Sequence, residues 1–159
     1  MRAYLLRHGE AEPTHPDAER VLSPAGLREV EKMARTLLFR PKHLPQTLWV
    51  SPLARARQTA ELFCDLAGIQ VAPEIRDDLV PNANPARTAR DLQKSPDTIL
   101  VVGHNPHLEI LLSYLLTGRS DGLLLVLNTG SLACVEFPRF GSTPETSFLR
   151  FLLSPNLLS

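Results

Sequence analysis

The chain has 159 residues, 43% hydrophobic and 21% charged, a length and balance that fit one self-sufficient domain over residues 1–159 and exclude a disordered polypeptide. Seventeen basic side chains meet seventeen acidic ones, which argues against a nucleic-acid binder with a basic face. No segment approaches the ~18 apolar residues of a membrane span, and Arg7, His8 and Glu10 interrupt any leader pattern.

Tyr4-Leu5-Leu6-Arg7-His8-Gly9-Glu10 reads as a buried strand that stops on two polar side chains, with Gly9 leaving open space before the imidazole. A polar, proline-containing loop from Glu12 to Val21 follows as a flap or rim. Ser23-Pro24 then starts a helix, Ser as N-cap and Pro at the first helical position. Leu27, Val30, Ala34, Leu37 and Leu38 recur at helical spacing. Pro41 and Pro45 bracket the exit, and Thr47 to Val50 is a short strand. Ser51-Pro52 repeats the capping pattern; Leu53, Ala56, Ala60, Phe63, Cys64 and Ala67 give the second helix its apolar stripe, and Gly68 ends it. Val71 to Ile75 reads as an edge strand because of Pro73, and Asn84-Pro85 opens a third helix to Lys94. Thr98-Ile99-Leu100-Val101-Val102-Gly103 is continuously apolar and β-branched, as a central parallel strand should be. After His104-Asn105-Pro106, Leu108, Leu111, Leu112, Leu115 and Leu116 mark a core helix ending at Gly118. Ser131 to Phe137 and Ser147 to Leu153 flank a turn containing Gly, Pro and Thr, which gives a terminal strand pair. Alternating β and α with a strand pair last predicts a three-layer α/β/α sandwich around a mainly parallel sheet. Cys64 and Cys134 sit among apolar neighbours as free thiols, which predicts a reducing, cytoplasmic compartment.

Three polar clusters fall at strand-to-helix junctions: Arg7-His8-Gly9, Ser51 to Arg55, and Gly103-His104-Asn105-Pro106. In α/β sheets ligands bind at the carboxyl edge of the strands, where helix N-termini favour anions. Arginine supplies a fork of donors shaped for phosphate, and histidine a nitrogen that can attack near pH 7. Two arginines and two histidines around one anion make a poor metal site, since arginine does not ligate and no carboxylate or thiolate joins them. Fourteen of the seventeen basic residues are arginine, which mildly favours oxyanion recognition.

Leu6-Arg7-His8-Gly9-Glu10-Ala11, the segment from Ser51 to Ala60, and Val102-Gly103-His104-Asn105-Pro106 together resemble, in order, the three signatures of the histidine phosphatase (phosphoglycerate-mutase-like) superfamily. The resemblance runs from residue 1 to roughly residue 137. The short length, Leu22-Ser23-Pro24-Ala25-Gly26 and the His-Asn-Pro variant look most like the compact SixA-type phosphohistidine phosphatases. The resemblance implies the phosphoglycerate-mutase-like fold and no cofactor or metal. It makes His8 the transiently phosphorylated nucleophile, with Arg7, Arg55 and His104 as a phosphate clamp. Asn105 reads as a cap that also lends its amide to the phosphate; Glu12 and His15 are candidates for the rim or the leaving group. A neutral His8 beside a charged His104 calls for pKa values pushed apart.

Larger members of the superfamily carry a carboxylic general acid where alignment on Leu79 places Pro81; others have an Asp where this chain has Asn105. Expelling an alkoxide without such a donor is hard, whereas an imidazole leaving from phosphorus is much less demanding. The expected substrate is therefore a phosphohistidine on a signalling or phosphotransfer protein, with inorganic phosphate as product and neither nucleic acid nor membrane as partner. Glu12, Asp77, Asp78 and Glu109 remain candidates for an acid. Two alternatives stay open: a small-molecule phosphomonoesterase or mutase of the same superfamily, and a module that binds phosphoproteins without turnover. His15, His43 and His107 read as solvated or capping residues, and Ser51 as an N-cap.

Overall fold

A computed structural model describes residues 1–38, 43–137 and 147–159. Pro41, the Gly/Pro/Thr turn of the terminal hairpin, and the side chains of Leu37 and Leu38 lie outside what is described. The strands β1 (Arg2–Arg7), β2 (Thr47–Val50), β3 (Pro73–Ile75), β4 (Ile99–Gly103), β5 (Leu132–Glu136) and β6 (Phe148–Leu153) form one sheet in the order β3-β2-β4-β1-β5-β6. β4 lies between β1 and β2 and is parallel to both; β3 is parallel to β2. β5 joins β1 antiparallel and β6 joins β5 the same way, so the terminal hairpin extends the sheet of its own chain.

The alternation of side chains along a strand sorts the core into two layers. Tyr4 and Leu6 of β1, with Leu100 and Val102 of β4, face α1 (Pro24–Leu38) and α2 (Ala54–Ala67) through Val30, Met33, Ala60 and Phe63. Ala3, Leu5, Ile99 and Val101 face the opposite way, onto α3 (Pro85–Lys94) and α4 (His107–Thr117) through Leu92, Leu108, Leu111 and Leu112. Every residue of β4 is buried, as its unbroken apolar run requires. The result is the expected α/β/α sandwich.

Helix boundaries follow local chemistry where local chemistry is strong. Ser23 Oγ accepts from the Gly26 N–H at 3.1 Å, and Asn84 Oδ1 from the Ala86 N–H at 3.0 Å. Gly68 and Gly118 end α2 and α4 at φ +69° and +74°, which a side chain would resist. Three expectations need correction. α2 starts at Ala54 rather than at Ser51-Pro52, and Ser51 is fully buried. Leu27 is 39% exposed, and Met33 takes its place in the buried stripe of α1. His107 does not face solvent: it is the first residue of α4, fully buried, with Nε2 3.4 Å from Thr88 Oγ1, and burial lowers its pKa to about 4.

Candidate active site

The register of β1 on β4 brings the histidines together. Arg7 pairs with Gly103, and the His8 N–H donates to the Gly103 carbonyl at 3.0 Å, so His8 and His104 leave neighbouring strands at the same level. Both continue the alternation of Leu6 and Val102 toward the α1/α2 face. Their ring centroids are 4.9 Å apart, with planes inclined at 53°.

His8 Nδ1 lies 2.7 Å from the carbonyl oxygen of Gly9. A carbonyl only accepts, so Nδ1 carries the proton and Nε2 the lone pair. The Gly9 N–H donates to Thr59 Oγ1 at 3.2 Å, and that hydroxyl donates to the Arg55 carbonyl at 2.7 Å, which ties the turn after β1 to α2. Gly9 is required for this docking: a Cβ there would lie 2.6 Å from the Gly26 carbonyl oxygen, so the glycine serves the approach of α1 rather than the space before the imidazole.

His104 is 1% exposed; its Nε2 is 2.7 Å from Ser51 Oγ, and its Nδ1 is buried without a partner. Burial pushes the His8 pKa down to about 4, helped by the charges of Arg55, Arg7 and Arg20. Burial and the neighbouring His8 take His104 to about 3. The two values are not driven apart as expected; both rings are neutral, because both share one dry site beside cationic guanidinium groups.

Arg7 donates from Nη1 to the Leu127 carbonyl at 2.6 Å. Arg55, whose side chain is 6% exposed, donates from Nη1 to the Asp17 carbonyl at 2.9 Å and from Nη2 to Asp17 Oδ2 at 3.2 Å. The Nε atoms of both arginines are buried and unpartnered. Arg7, His8, Arg55, His104 and Asn105 line a single cavity of about 300 Å³, with Glu10, Ala11, Arg20, Pro81 and Thr129 completing its wall. Three guanidinium groups, buried donors lacking partners and a single carboxylate form a place for an oxyanion. A larger cavity of about 780 Å³ between α2 and the β2–β3 edge contains none of Arg7, His8, Arg55 and His104.

Other candidates fall elsewhere. Glu12 and His15 do not line the 300 Å³ cavity, and His15 is exposed. Asn105 lines it but directs Nδ2 to Glu109 Oε1 at 2.7 Å and to the Leu127 carbonyl at 2.9 Å. Asp77 and Asp78 line a separate cavity, where Asp78 pairs with Arg76 at 2.8 Å. Pro81 stands in the wall of the 300 Å³ cavity. Sequence reasoning missed Arg20 and Asp17, which share the flap, and it misread Ser51 as a cap. Arg20 anchors the flap on itself, donating from Nε to the Glu12 carbonyl at 2.8 Å. An arginine closing a proline-rich loop just before a helix cap was the available signal. Among the described residues no group of three or more His, Cys, Asp or Glu side chains converges as a metal site.

A family model for the histidine phosphatase superfamily (branch 1) matches residues 3–80. The chain is 26% identical over 147 residues to the phosphohistidine phosphatase SixA of Escherichia coli (strain K12), covering 89% of each. Its backbone matches the protein histidine phosphatase SixA complexed with tungstate at a TM-score of 0.84, with 25% identity over 98% of both chains. It also matches the alpha-ribazole phosphatase from Shigella flexneri at a TM-score of 0.76, covering 98% of this chain and 97% of that one; at 18% identity this likeness speaks to fold alone. Two histidines level on adjacent parallel strands, the arginines around them and these likenesses agree: residues 3–80 match the histidine phosphatase superfamily, and the chain is a SixA-like phosphatase.

Proposed function

We propose that the protein removes phosphate from histidine on a signalling or phosphotransfer protein, without a metal or cofactor, through a phosphorylated His8. The observation that carries this reading is the His8 ring: neutral, pinned as the Nδ1–H tautomer by Gly9, beside His104 in a cavity walled by Arg7, Arg20 and Arg55. Nε2 of His8 attacks phosphorus in line; a new P–N bond forms as the substrate's P–N bond breaks, and the departing imidazole carries off its electron pair and takes a proton. Water then attacks the phosphoryl group on His8, releasing inorganic phosphate and restoring the neutral ring. Arg7, Arg55 and His104 hold the oxygens over which charge spreads in both steps. Pro81 in the wall, where relatives place an acid, favours a leaving group that needs little protonation. The free, buried thiols of Cys64 and Cys134 suit a reducing cytoplasm.

Glu10, the carboxylate in the wall, is the observation that favours the second reading, a phosphomonoesterase with a proton donor. Wild type and His8→Ala, assayed in chelator with a phosphohistidine protein, p-nitrophenyl phosphate and sugar phosphates, separate the two. A strong preference for the P–N substrate, lost in His8→Ala, is expected; preference for the esters supports the second reading. Binding of phosphoprotein with no turnover by wild type would leave only a binding module.

A further inference from the structure

We propose that Glu109 is a positioning residue for Arg7, acting through the backbone of Leu127. This rests on the reading of Arg7 as a phosphate ligand. Glu109 lies in the first turn of α4 and does not line the 300 Å³ cavity. Its Oε1 accepts from Asn105 Nδ2 at 2.7 Å and from the Leu127 N–H at 2.9 Å. Leu127, fully buried in the loop between α4 and β5, turns its carbonyl the other way and accepts from Arg7 Nη1 at 2.6 Å and from Asn105 Nδ2 at 2.9 Å. One carboxylate oxygen thereby fixes both partners that set the carbonyl on which the guanidinium rests.

The arrangement has a physical reason. Arg7 follows the alternation of Leu5, so its side chain departs toward the α3/α4 face while His8 departs toward α1/α2. A guanidinium leaving the sheet on that side needs an anchor to return it to the phosphoryl position. A loop carbonyl serves only if the loop is held, and Glu109 holds it at the residue concerned. Its charge also opposes the burial that weakens the Arg7 cation. Both bonds fall on Oε1 and the side chain stays out of the cavity wall, so Glu109 serves as an acceptor for the loop rather than as the missing general acid.

The test is a double-mutant cycle on turnover of a P–N substrate and on inhibition by tungstate, with wild type, Arg7→Ala, Glu109→Ala, Glu109→Gln and Arg7→Ala/Glu109→Ala. Glu109→Ala should lower kcat/KM on the order of tenfold to a hundredfold and weaken tungstate by a comparable factor. Glu109→Gln keeps an oxygen at the same place and should stay within about threefold of wild type. In the Arg7→Ala background, losing Glu109 should cost less than about twofold. Multiplying effects, or failure of Glu109→Gln to rescue, overturns the proposal. If Glu109→Ala does not fold, Glu109→Asp, which keeps the charge but falls short of the loop, is read by the same criteria. If Arg7→Ala itself matches wild type, the reading of the site fails; if only the Glu109 variants match it, the positioning role fails.

Discussion

His8 and His104 stand 4.9 Å apart, centroid to centroid, because Arg7 and Gly103 are register partners on adjacent parallel strands. Neither ring depends on a flexible loop for its place. Only His8 has its tautomer set by a backbone carbonyl. Replacing it should therefore remove the proposed nucleophile and leave the scaffold. His8→Ala is expected to lose turnover at least about a thousandfold while melting within a few degrees of wild type. Labelled phosphate should be trapped on wild type in an acid-labile form and be absent from the variant.

The buried histidines also set the response to acid. His8, His104 and His107 have folded pKa values of about 4, 3 and 4, against 6.5 for an unfolded histidine. Below pH 6.5 the unfolded chain takes up protons that the folded chain refuses, so stability falls as pH drops from about 6.5 toward 4, with a slope of up to three protons. Urea unfolding at intervals across that window checks this; a flat profile would show the rings to be solvated. Where the fold persists, turnover should keep its neutral nucleophile well below pH 6.5.

Ser51 joins these groups by one contact, its Oγ 2.7 Å from His104 Nε2. Ser51→Ala leaves both ring nitrogens of a fully dry histidine without partners, at a cost of about 1–3 kcal/mol. We expect a matching loss of stability and a drop in kcat/KM on the order of tenfold. Unchanged kinetics would mean that the orientation of His104 comes from packing alone.

How much of this was legible beforehand follows from where the information sits. The unbroken run of β4, the caps at Ser23 and Asn84 and the stops at Gly68 and Gly118 are local signals, and the helices and strands obey them. The convergence of Arg7, His8, Arg55 and His104 on one cavity was legible because each occupies a strand end or helix start within a recognisable motif. Ser51 was not, because a Ser-Pro pair looks like a cap and its true partner lies 53 residues away. Asp17 and Arg20 sit in a loop without apolar periodicity; they pair with each other across one 3-10 turn, but Asp17 meets Arg55 only through the tertiary fold. The divergence expected of the two histidine pKa values failed for the same reason: burial is a property of packing, and a strand-end motif does not display it.

Two glycines separate close approach from backbone freedom. A methyl on Gly26 would lie 2.0 Å from the Glu10 carbonyl oxygen and 2.8 Å from the Glu10 nitrogen. Both are backbone, so relief requires moving the segment that carries His8. At Gly68 nothing lies within 4 Å, and only its φ of +69° resists a side chain. Gly68→Ala should cost about 1–2 kcal/mol with activity intact. Gly26→Ala should cost more than that and depress kcat/KM as well, and comparable melting curves with comparable activities would refute the docking role.

Asp17 presents the sharpest balance of effects. Its carboxylate, 62% exposed, pairs with the buried Arg55 at 3.2 Å, while its own carbonyl holds the other Nη. As a negative charge beside the proposed anion site it would oppose phosphate; as a partner of Arg55 it would orient the proposed clamp. The backbone bond survives substitution, and a charge so exposed is strongly screened, so repulsion should be the larger of two small terms. Asp17→Asn is expected to tighten tungstate about two- to threefold at low salt, with the gain fading as ionic strength rises. Weaker tungstate binding at every salt concentration would show instead that the flap carboxylate is what aims Arg55.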